Sequence, residues 1–583
     1  MQFFKFLPIL QAPVTFLKSF RRLCALLFIF NSAIIFSLSF FDEGAPEELA
    51  AAIEQAMSDE QALAQTFMLG WVGAEPSPLI MDWINGRNIG GVKIFGWNTE
   101  DTQRLARTVG ALQEASLAGA FNIPLLMATD QEGGWIRHVK GSTSETPGNM
   151  AIGASGYPRD AYLSGYYIGK ELALLGINMN FAPAVDLFTN RDSALIGPRA
   201  FGSDPVKTGI LGAAFMKGQL AAGVIPTAKH FPGHGDTDLD SHGILPRIDL
   251  SFDTLWEREL LPYRMLTSEG IPAVMSGHLA FPKTGAASAP ASLSSWFLKD
   301  VLRDKIGFKG VVITDDLMMN GAAMWAGSVS GAARQALLAG NNIIMLSRTP
   351  NLFDPVWTFL AESMKEDAEF RRCVRDSARR ILEMKLRYLR GEGKAPYIPD
   401  PHRLEAELPD PEGSAFFLNL AARSVTIVKN QELSGQEFSG GIQGDGNKAG
   451  VVYTLPLKPE NAGHVLLAGQ YGDFFRTGTA AFPKADILRY SGSGAAAELL
   501  QHARNADTII FCLSDASSLR LLRSLEPLKK KVVVFSVLSP VYIESVPWIN
   551  AAVAVYSYAP ESFAAGFSAI IGRISGGGKL PYE

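Results

Sequence analysis

Eight short apolar runs of strand character, each followed by an amphipathic helical stretch, occupy residues 50–392 and restrict this chain more than any other feature. The runs are QTFMLGWVG, GGVKIFG, PLLMATD, MNFAPAVD, VIPTAKHF, AVMSGHLAF, GVVITDD and NIIMLSR. Repeated βα units imply parallel strands, and eight of them fit a closed (β/α)8 barrel. Polar residues at the strand ends then gather on the barrel's C-terminal face, which is the expected position of Asp130, Lys229, His230, His278 and Asp315. A basic amphipathic helix over about residues 366–390 is expected to close the barrel.

The rest of the chain divides around this unit. Residues 393–413 carry Pro396, Pro399, Pro401, Pro409 and Pro411 and read as a linker. Over residues 414–583 the runs SVTIVKN, GVVYTLP, HVLLAG, TIIFCLS, KVVVFSV and AAVAVYSY alternate with helical segments, which predicts a smaller doubly wound α/β domain. The barrel is assigned to residues 47–392. Residues 1–46 hold a stretch of 19 uncharged residues between Arg22 and Asp42, preceded by Lys5, Lys18, Arg21 and Arg22. That charge order marks either a cleaved export signal or a retained membrane anchor, so an exported, periplasmic or membrane-anchored protein is expected.

Composition excludes several classes. Hydrophobic residues at 47% and charged residues at 19% supply enough apolar surface for sizeable cores, so wholesale disorder is excluded. A net charge of −5 lacks the basic excess of a dedicated nucleic-acid binder. Cys24, Cys373 and Cys512 are too few and too scattered for a disulfide framework or a CxxC metal site.

Chemistry concentrates in KHFPGHGDTDLDSH, residues 229–242. A calcium loop starting at Asp236 would need glycine and glutamate where Ser241 and Arg247 stand, so that reading fails. A transition-metal site built from His230, His234, His242 and an aspartate is an alternative, although the spacing matches neither HExxH nor a regular zinc pattern. The third reading is acid/base catalysis, with the Asp240 carboxylate holding one nitrogen of His242 while the other faces substrate. A second centre is VVITDDLMM, where Asp315 at a strand end is placed for nucleophilic attack and Asp316 caps the next helix. In ATDQEGG, Asp130 is either a cap or a ligand; in IGPRAFGSDP, Arg199 binds hydroxyls or anions or makes a loop salt bridge.

Taken together, DQEGG, the Arg199 loop, KHFPGHGDTDLDSH, MSGHLAFP and ITDDLMM resemble, in order and spacing, the β-N-acetylglucosaminidase branch of glycoside hydrolase family 3, over about residues 56–390. LAARSVTIVKN extends the resemblance into the second domain, as in two-domain bacterial members. The resemblance implies a retaining exo-β-N-acetylglucosaminidase with Asp315 as nucleophile, Asp240 and His242 as acid/base dyad, and Asp130, Arg199, Lys229 and His230 holding sugar hydroxyls, with no metal or organic cofactor. Peptidoglycan fragments or chitin oligosaccharides are the implied substrates. The chain departs from the branch at Trp135, where an arginine is usual, with Arg137 two positions on. It departs again at Gly340, Asn341 and Asn342, where alanine and aspartate usually follow the glycine. Neither change touches the implied nucleophile or dyad. The other classes to separate are a metal-dependent barrel hydrolase, a non-catalytic envelope glycan-binding protein suggested by Trp135 and the amino-terminal stretch, and phosphorolysis competing with hydrolysis at a neutral His242.

Overall fold

The computed structural model describes residues 38–193, 195–237, 245–433 and 452–582. Eight parallel strands close into a barrel: β1 (Phe67–Gly70), β2 (Gly91–Ile94), β3 (Leu126–Thr129), β4 (Met179–Asn180), β5 (Ile225–Phe231), β6 (Ala273–Ser276), β7 (Val311–Asp316) and β8 (Ile343–Leu346). Each pairs with its sequence neighbours, and β1 pairs with β8 in the register Phe67 to Ile344 and Leu69 to Leu346. All eight expected runs supply one strand each. They are short because each needs only to cross the barrel wall, and almost all of their residues are buried, as expected of strands covered on both faces.

Period-two alternation sorts their side chains into two cores. Met68, Leu126, Ala128, Ile225, Met275, Ile313 and Met345 fill the barrel, while Phe67, Leu69, Val92, Ile94 and Met127 face the surrounding helices. The barrel floor is closed by helix Pro46–Ala56, through Leu49, Ala50 and Ile53, and by helix Ala368–Tyr388, through Ile381 and Leu382. The latter is the expected basic helix; Asp367 caps it by accepting hydrogen bonds from the backbone of Glu369 and Phe370.

The proline-rich stretch proves to be a place where helices start. Pro401 and Pro411 each begin a helix, Pro401–Glu407 and Pro411–Ser424, capped by Asp400 and Asp410. Proline suits the first helical turn because its missing N–H would have no intrahelical partner there. Helix Pro411–Ser424 crosses the expected boundary at residue 413: Phe416, Phe417 and Leu420 pack into the barrel's outer core, and Ala421 into the core of the second unit.

That second unit is a six-stranded sheet with helices on both faces. Its strands are β9 (Thr426–Asn430), β10 (Val465–Gly469), β11 (Asp486–Arg489), β12 (Thr508–Leu513), β13 (Lys531–Ser536) and β14 (Ala551–Ala554), in the order β9-β14-β13-β12-β10-β11. Only β9 is antiparallel to its neighbour; the other five follow a doubly wound 2-1-3-4-5 order. Two details differ from the sequence expectation. The run GVVYTLP supplies Val452–Tyr453, which pairs with Glu432–Leu433 outside the main sheet. β11 has no apolar run to announce it, since at the sheet edge only Leu488 of its four residues is buried. Among the described residues no helix is long and apolar enough to cross a membrane, and residues 1–37 of the amino-terminal segment lie outside them.

Candidate active site

The C-terminal mouth of the barrel holds a cavity of about 240 Å³ whose lining includes Lys93, Asp130, Glu132, His138, Arg199, Lys229, His230, His234, Asp315 and Asp316. Each comes from a strand end or from the loop that follows. Lys93 is on β2, Asp130 follows β3, Glu132 lies in the first strand of a short hairpin of Gln131–Gly133 and Ile136–Arg137, and His138 follows the second. Arg199 ends the turn Gly197–Arg199. The β5–β6 register shifts between Ala228 and Phe231, and at this irregularity the adjacent residues Lys229 and His230 both line the cavity, where a regular strand would send them to opposite faces.

One wall is a continuous chain of buried ions. Lys93 Nζ lies 2.8 Å from Asp130 Oδ2, and Lys229 Nζ lies 2.5 Å from Asp130 Oδ1 and 2.6 Å from Glu132 Oε1. Arg199 donates through Nε and Nη2 to the two oxygens of Glu132, at 3.0 and 2.8 Å, a bidentate pair. Its Nη2 is also 3.3 Å from His230 Nε2, and His230 Nδ1 is 2.7 Å from Asp186 Oδ2. A guanidinium can only donate, so His230 Nε2 is the acceptor toward Arg199, and Nδ1 is left to donate to Asp186. Asp186 further accepts from the backbone N–H of His234 at 2.7 Å.

These contacts set the charges. Burial alone would raise Asp130, but Lys229, Lys93 and His138 hold it well below the ordinary carboxylate range. Burial is similarly overcome at Glu132 by Arg199 and Lys229, and at Asp186 by His230 and His234, so both stay ionised. Lys229 is raised, its burial outweighed by Asp130 and Glu132. His138 is pushed down to about 4 by burial and by the Lys93 ammonium, which leaves a neutral ring at the cavity edge. Asp315, on β7, accepts from the Asp316 backbone N–H at 2.8 Å. Burial acts to raise it, yet the imidazoles of His230 and His278, the Asp316 N–H and the Lys229 ammonium hold it below its usual value. The arrangement thus offers an ionised carboxylate beside a rigid array of donors and acceptors suited to a polyhydroxylated ring.

Residues 61–384 match the model of the glycosyl hydrolase family 3 N-terminal domain, more than half of the chain. The chain belongs to glycosyl hydrolase family 3. It is similar to β-hexosaminidase A of Pseudoalteromonas piscicida, at 33% identity over 382 residues that make up 60% of this chain and 61% of that protein. It is also similar to a β-hexosaminidase of Tolumonas auensis, at 36% identity over 260 residues, 44% of this chain and 75% of the relative. Among solved structures, the family 3 β-N-acetylglucosaminidase of Paenibacillus sp. str. FPU-7 superimposes with a TM-score of 0.76 at 26% identity, covering 90% of this chain and 99% of that one.

Within this family 3 barrel, Asp130, Arg199, Lys229, His230 and Asp315 come together at one cavity. Asp240 and His242 lie outside the described residues. His278, expected at the mouth, stands beside Asp315 there without lining the cavity: it is buried, bonded to Ser292 Oγ at 2.7 Å and to the Asp316 carbonyl at 3.0 Å, and helps to hold Asp315 down. Asp316 does not cap the next helix: its Oδ1 accepts from the backbone of Met318 and Ser347, bracing the turn after β7 against the end of β8. Trp135 does not line the cavity; its neighbours Ile136 and His138 do, which withdraws the support it lent to a glycan-binding protein without catalysis. The departure at Asn341 and Asn342 is structural. Asn341 bridges Ser276 Oγ and the Ser292 carbonyl, and Asn342 accepts from the Val312 backbone, joining neighbouring strands. Among the described residues no group of three or more His, Cys, Asp or Glu side chains is arranged to hold a metal ion, and His230 is engaged by Asp186 and Arg199. Lys93, Glu132, Asp186 and His138 enter the site unassigned by the sequence reading. Lys93 had a signal, as the lone charge within an apolar strand.

Proposed function

We propose that this chain is a retaining exo-β-N-acetylglucosaminidase that removes terminal β-linked N-acetylglucosamine from peptidoglycan fragments or related glycans. The observation that carries the reading is the ionised Asp315 at the end of β7, sharing one small cavity with the Asp130, Lys229, Glu132 and Arg199 chain. At about 240 Å³ the cavity is smaller than the roughly 300–1,000 Å³ of pockets for drug-sized ligands, which favours one terminal ring over an internal stretch of chain. Asp315 attacks the anomeric carbon while His242, held by Asp240, protonates the departing oxygen. The same imidazole then takes a proton from the water that cleaves the glycosyl ester, so that two inversions retain the β configuration. Asp130, Lys229, Arg199 and His230 orient the ring hydroxyls through charge-assisted hydrogen bonds of about 1.5–3 kcal/mol each. No metal takes part. The β-hexosaminidase names of the relatives support the sugar; the charge order of residues 1–46 supports an exported, periplasmic or membrane-anchored enzyme acting in the envelope.

The deciding experiment compares an aryl β-N-acetylglucosaminide with the matching β-glucoside in the presence of chelator, and follows the first-formed anomer by proton NMR. Preferential N-acetylglucosaminide cleavage giving the β anomer is expected, with Asp315→Asn lowering kcat on the order of 10⁴-fold, as other catalytic carboxylates do. A first-formed α anomer, or activity lost to the chelator, contradicts the mechanism. A sugar 1-phosphate formed on adding phosphate would reassign the second step to phosphorolysis.

A further inference from the structure

All described residues that line the cavity lie between positions 93 and 345, so no described residue of the second unit is among them. Its C-terminal tail nevertheless runs directly behind the loop that does. The Tyr582 ring meets Phe188 edge-on, with centroids 5.3 Å apart, and one buried cluster joins Phe188, Ile196 and Ala200 of the β4 loop to Ala554, Tyr556 and Tyr582 of the second unit. The tail is tied on both sides. Gly578 N–H donates to the Val425 carbonyl at 2.9 Å, Lys579 N–H to the Ala154 carbonyl at 3.0 Å, and the Pro581 carbonyl accepts from Ser203 N–H at 3.1 Å. Contact is close enough that a Cβ at Gly202 would stand 2.2 Å from the Pro581 carbonyl oxygen.

The loop gripped in this way runs from Asp186 to Arg199 and carries two parts of the site. At one end Asp186 orients His230; next to it Asn190 N–H donates to the Gly235 carbonyl and Thr189 Oγ1 to Asp236, at 3.2 and 3.1 Å. At the other end Ile196 and Ala200 flank Arg199, whose N–H donates to the Ile196 carbonyl at 2.7 Å. Building on the proposed glycosidase activity, we propose that Tyr582 and the tail that carries it are a positioning element of the active site, setting Arg199 and His230 through the β4 loop. The second unit contributes to catalysis from behind the barrel wall. A displacement of about 1 Å in a substrate-holding group can cost on the order of 10²-fold in rate, so loosening the loop is enough to register.

The test uses the full chain and four variants, Tyr582→Ala, Tyr582→Phe, Arg199→Ala and the Arg199→Ala/Tyr582→Ala double variant. Tyr582→Ala is expected to lower kcat/KM for the aryl N-acetylglucosaminide about tenfold, chiefly through KM, while Tyr582→Phe, which keeps the ring, stays within about twofold. On an Arg199→Ala background Tyr582→Ala is expected to cost less than about threefold, the non-additivity of residues that act through one another. Fully additive losses overturn the proposal. Amide hydrogen exchange is read in parallel and needs no activity: Tyr582→Ala is expected to speed exchange over residues 188–200 and to leave β1, β2 and β8 unchanged. Unchanged exchange there overturns the proposal even if the enzyme acts on another sugar. Should Tyr582→Ala fail to fold, Tyr582→Leu is measured against the same outcomes.

Discussion

Replacing Glu132 by glutamine tests whether the buried ion chain, and not the cavity shape alone, organises the site. The Glu132 side chain is 1% exposed and receives three charge-assisted hydrogen bonds, two from Arg199 and one from Lys229. A glutamine in the same rotamer keeps one oxygen, which can serve Arg199 Nη2 and Lys229 Nζ as a neutral acceptor at a loss of about 1 kcal/mol each. Its amide nitrogen then faces Arg199 Nε, donor against donor, leaving a buried N–H unsatisfied at about 1–3 kcal/mol. The total of about 3–5 kcal/mol agrees with the cost of breaking a buried ion pair from one side. At about 2–4 °C per kcal/mol for a large domain, the melting midpoint should fall by roughly 10 °C. Because Arg199 and Lys229 lose their common anchor, kcat/KM should fall by about 10²-fold at temperatures where the variant is fully folded. Differential scanning calorimetry and steady-state kinetics check both. A variant that melts with the parent and retains about half of its kcat/KM would falsify the view that Glu132 fixes these cations.

Two further perturbations address groups the sequence reading passed over. Glu259 is buried and raised to about 7, first by burial and then by Asp236 and Asp186 working against Arg258. Its folded form therefore keeps a proton that the unfolded chain gives up near 4.5, so stability is full below about 4.5, falls as pH rises to about 7 and is level above, a loss of roughly 3 kcal/mol. Glu259→Gln should remove that slope, raising the urea midpoint at pH 8 and hardly at pH 5; identical pH profiles for the two proteins would place the titrating group elsewhere. Lys93→Met removes the donor to Asp130 Oδ2 and should raise KM at least tenfold, the equivalent of one charge-assisted hydrogen bond, while kcat changes by no more than about threefold. An unchanged KM would reduce Lys93 to a packing role.

The parts legible in the sequence are those governed by local pattern. The barrel strands are buried on both faces, so each appears as an uninterrupted apolar run, and the polar residue ending a run necessarily stands at the mouth; Asp130 and Asp315 follow from that alone. Lys93 carries no role in the sequence alone: a lysine inside an apolar strand gains one only once the barrel interior is built around it, when period two from Gly91 turns it inward. Glu132 was visible within DQEGG, but only the arrival of Arg199, 67 positions away, shows what it holds. His278 stands at the expected height but turns its ring to Ser292 and the Asp316 carbonyl, because a strand end fixes height along the barrel axis and not the direction of the side chain. β11 and the two helices within the proline-rich stretch were hidden for opposite reasons, one lacking an apolar run and the others beginning on residues that usually mark loops.

Helix Pro411–Ser424 carries a consequence for how the molecule comes apart. Its Phe416, Phe417 and Leu420 complete the barrel's outer core while Ala421 belongs to the sheet's core, so one rigid rod is shared by two hydrophobic interiors. At about 1.5–3 kcal/mol for each large apolar side chain, withdrawing the helix from the barrel costs roughly 5–9 kcal/mol, comparable to the whole stability of a typical domain. Unfolding the barrel is expected to carry this helix, and with it Ala421, out of the sheet's core. The two units are therefore expected to unfold in one cooperative transition, seen as a single calorimetric peak.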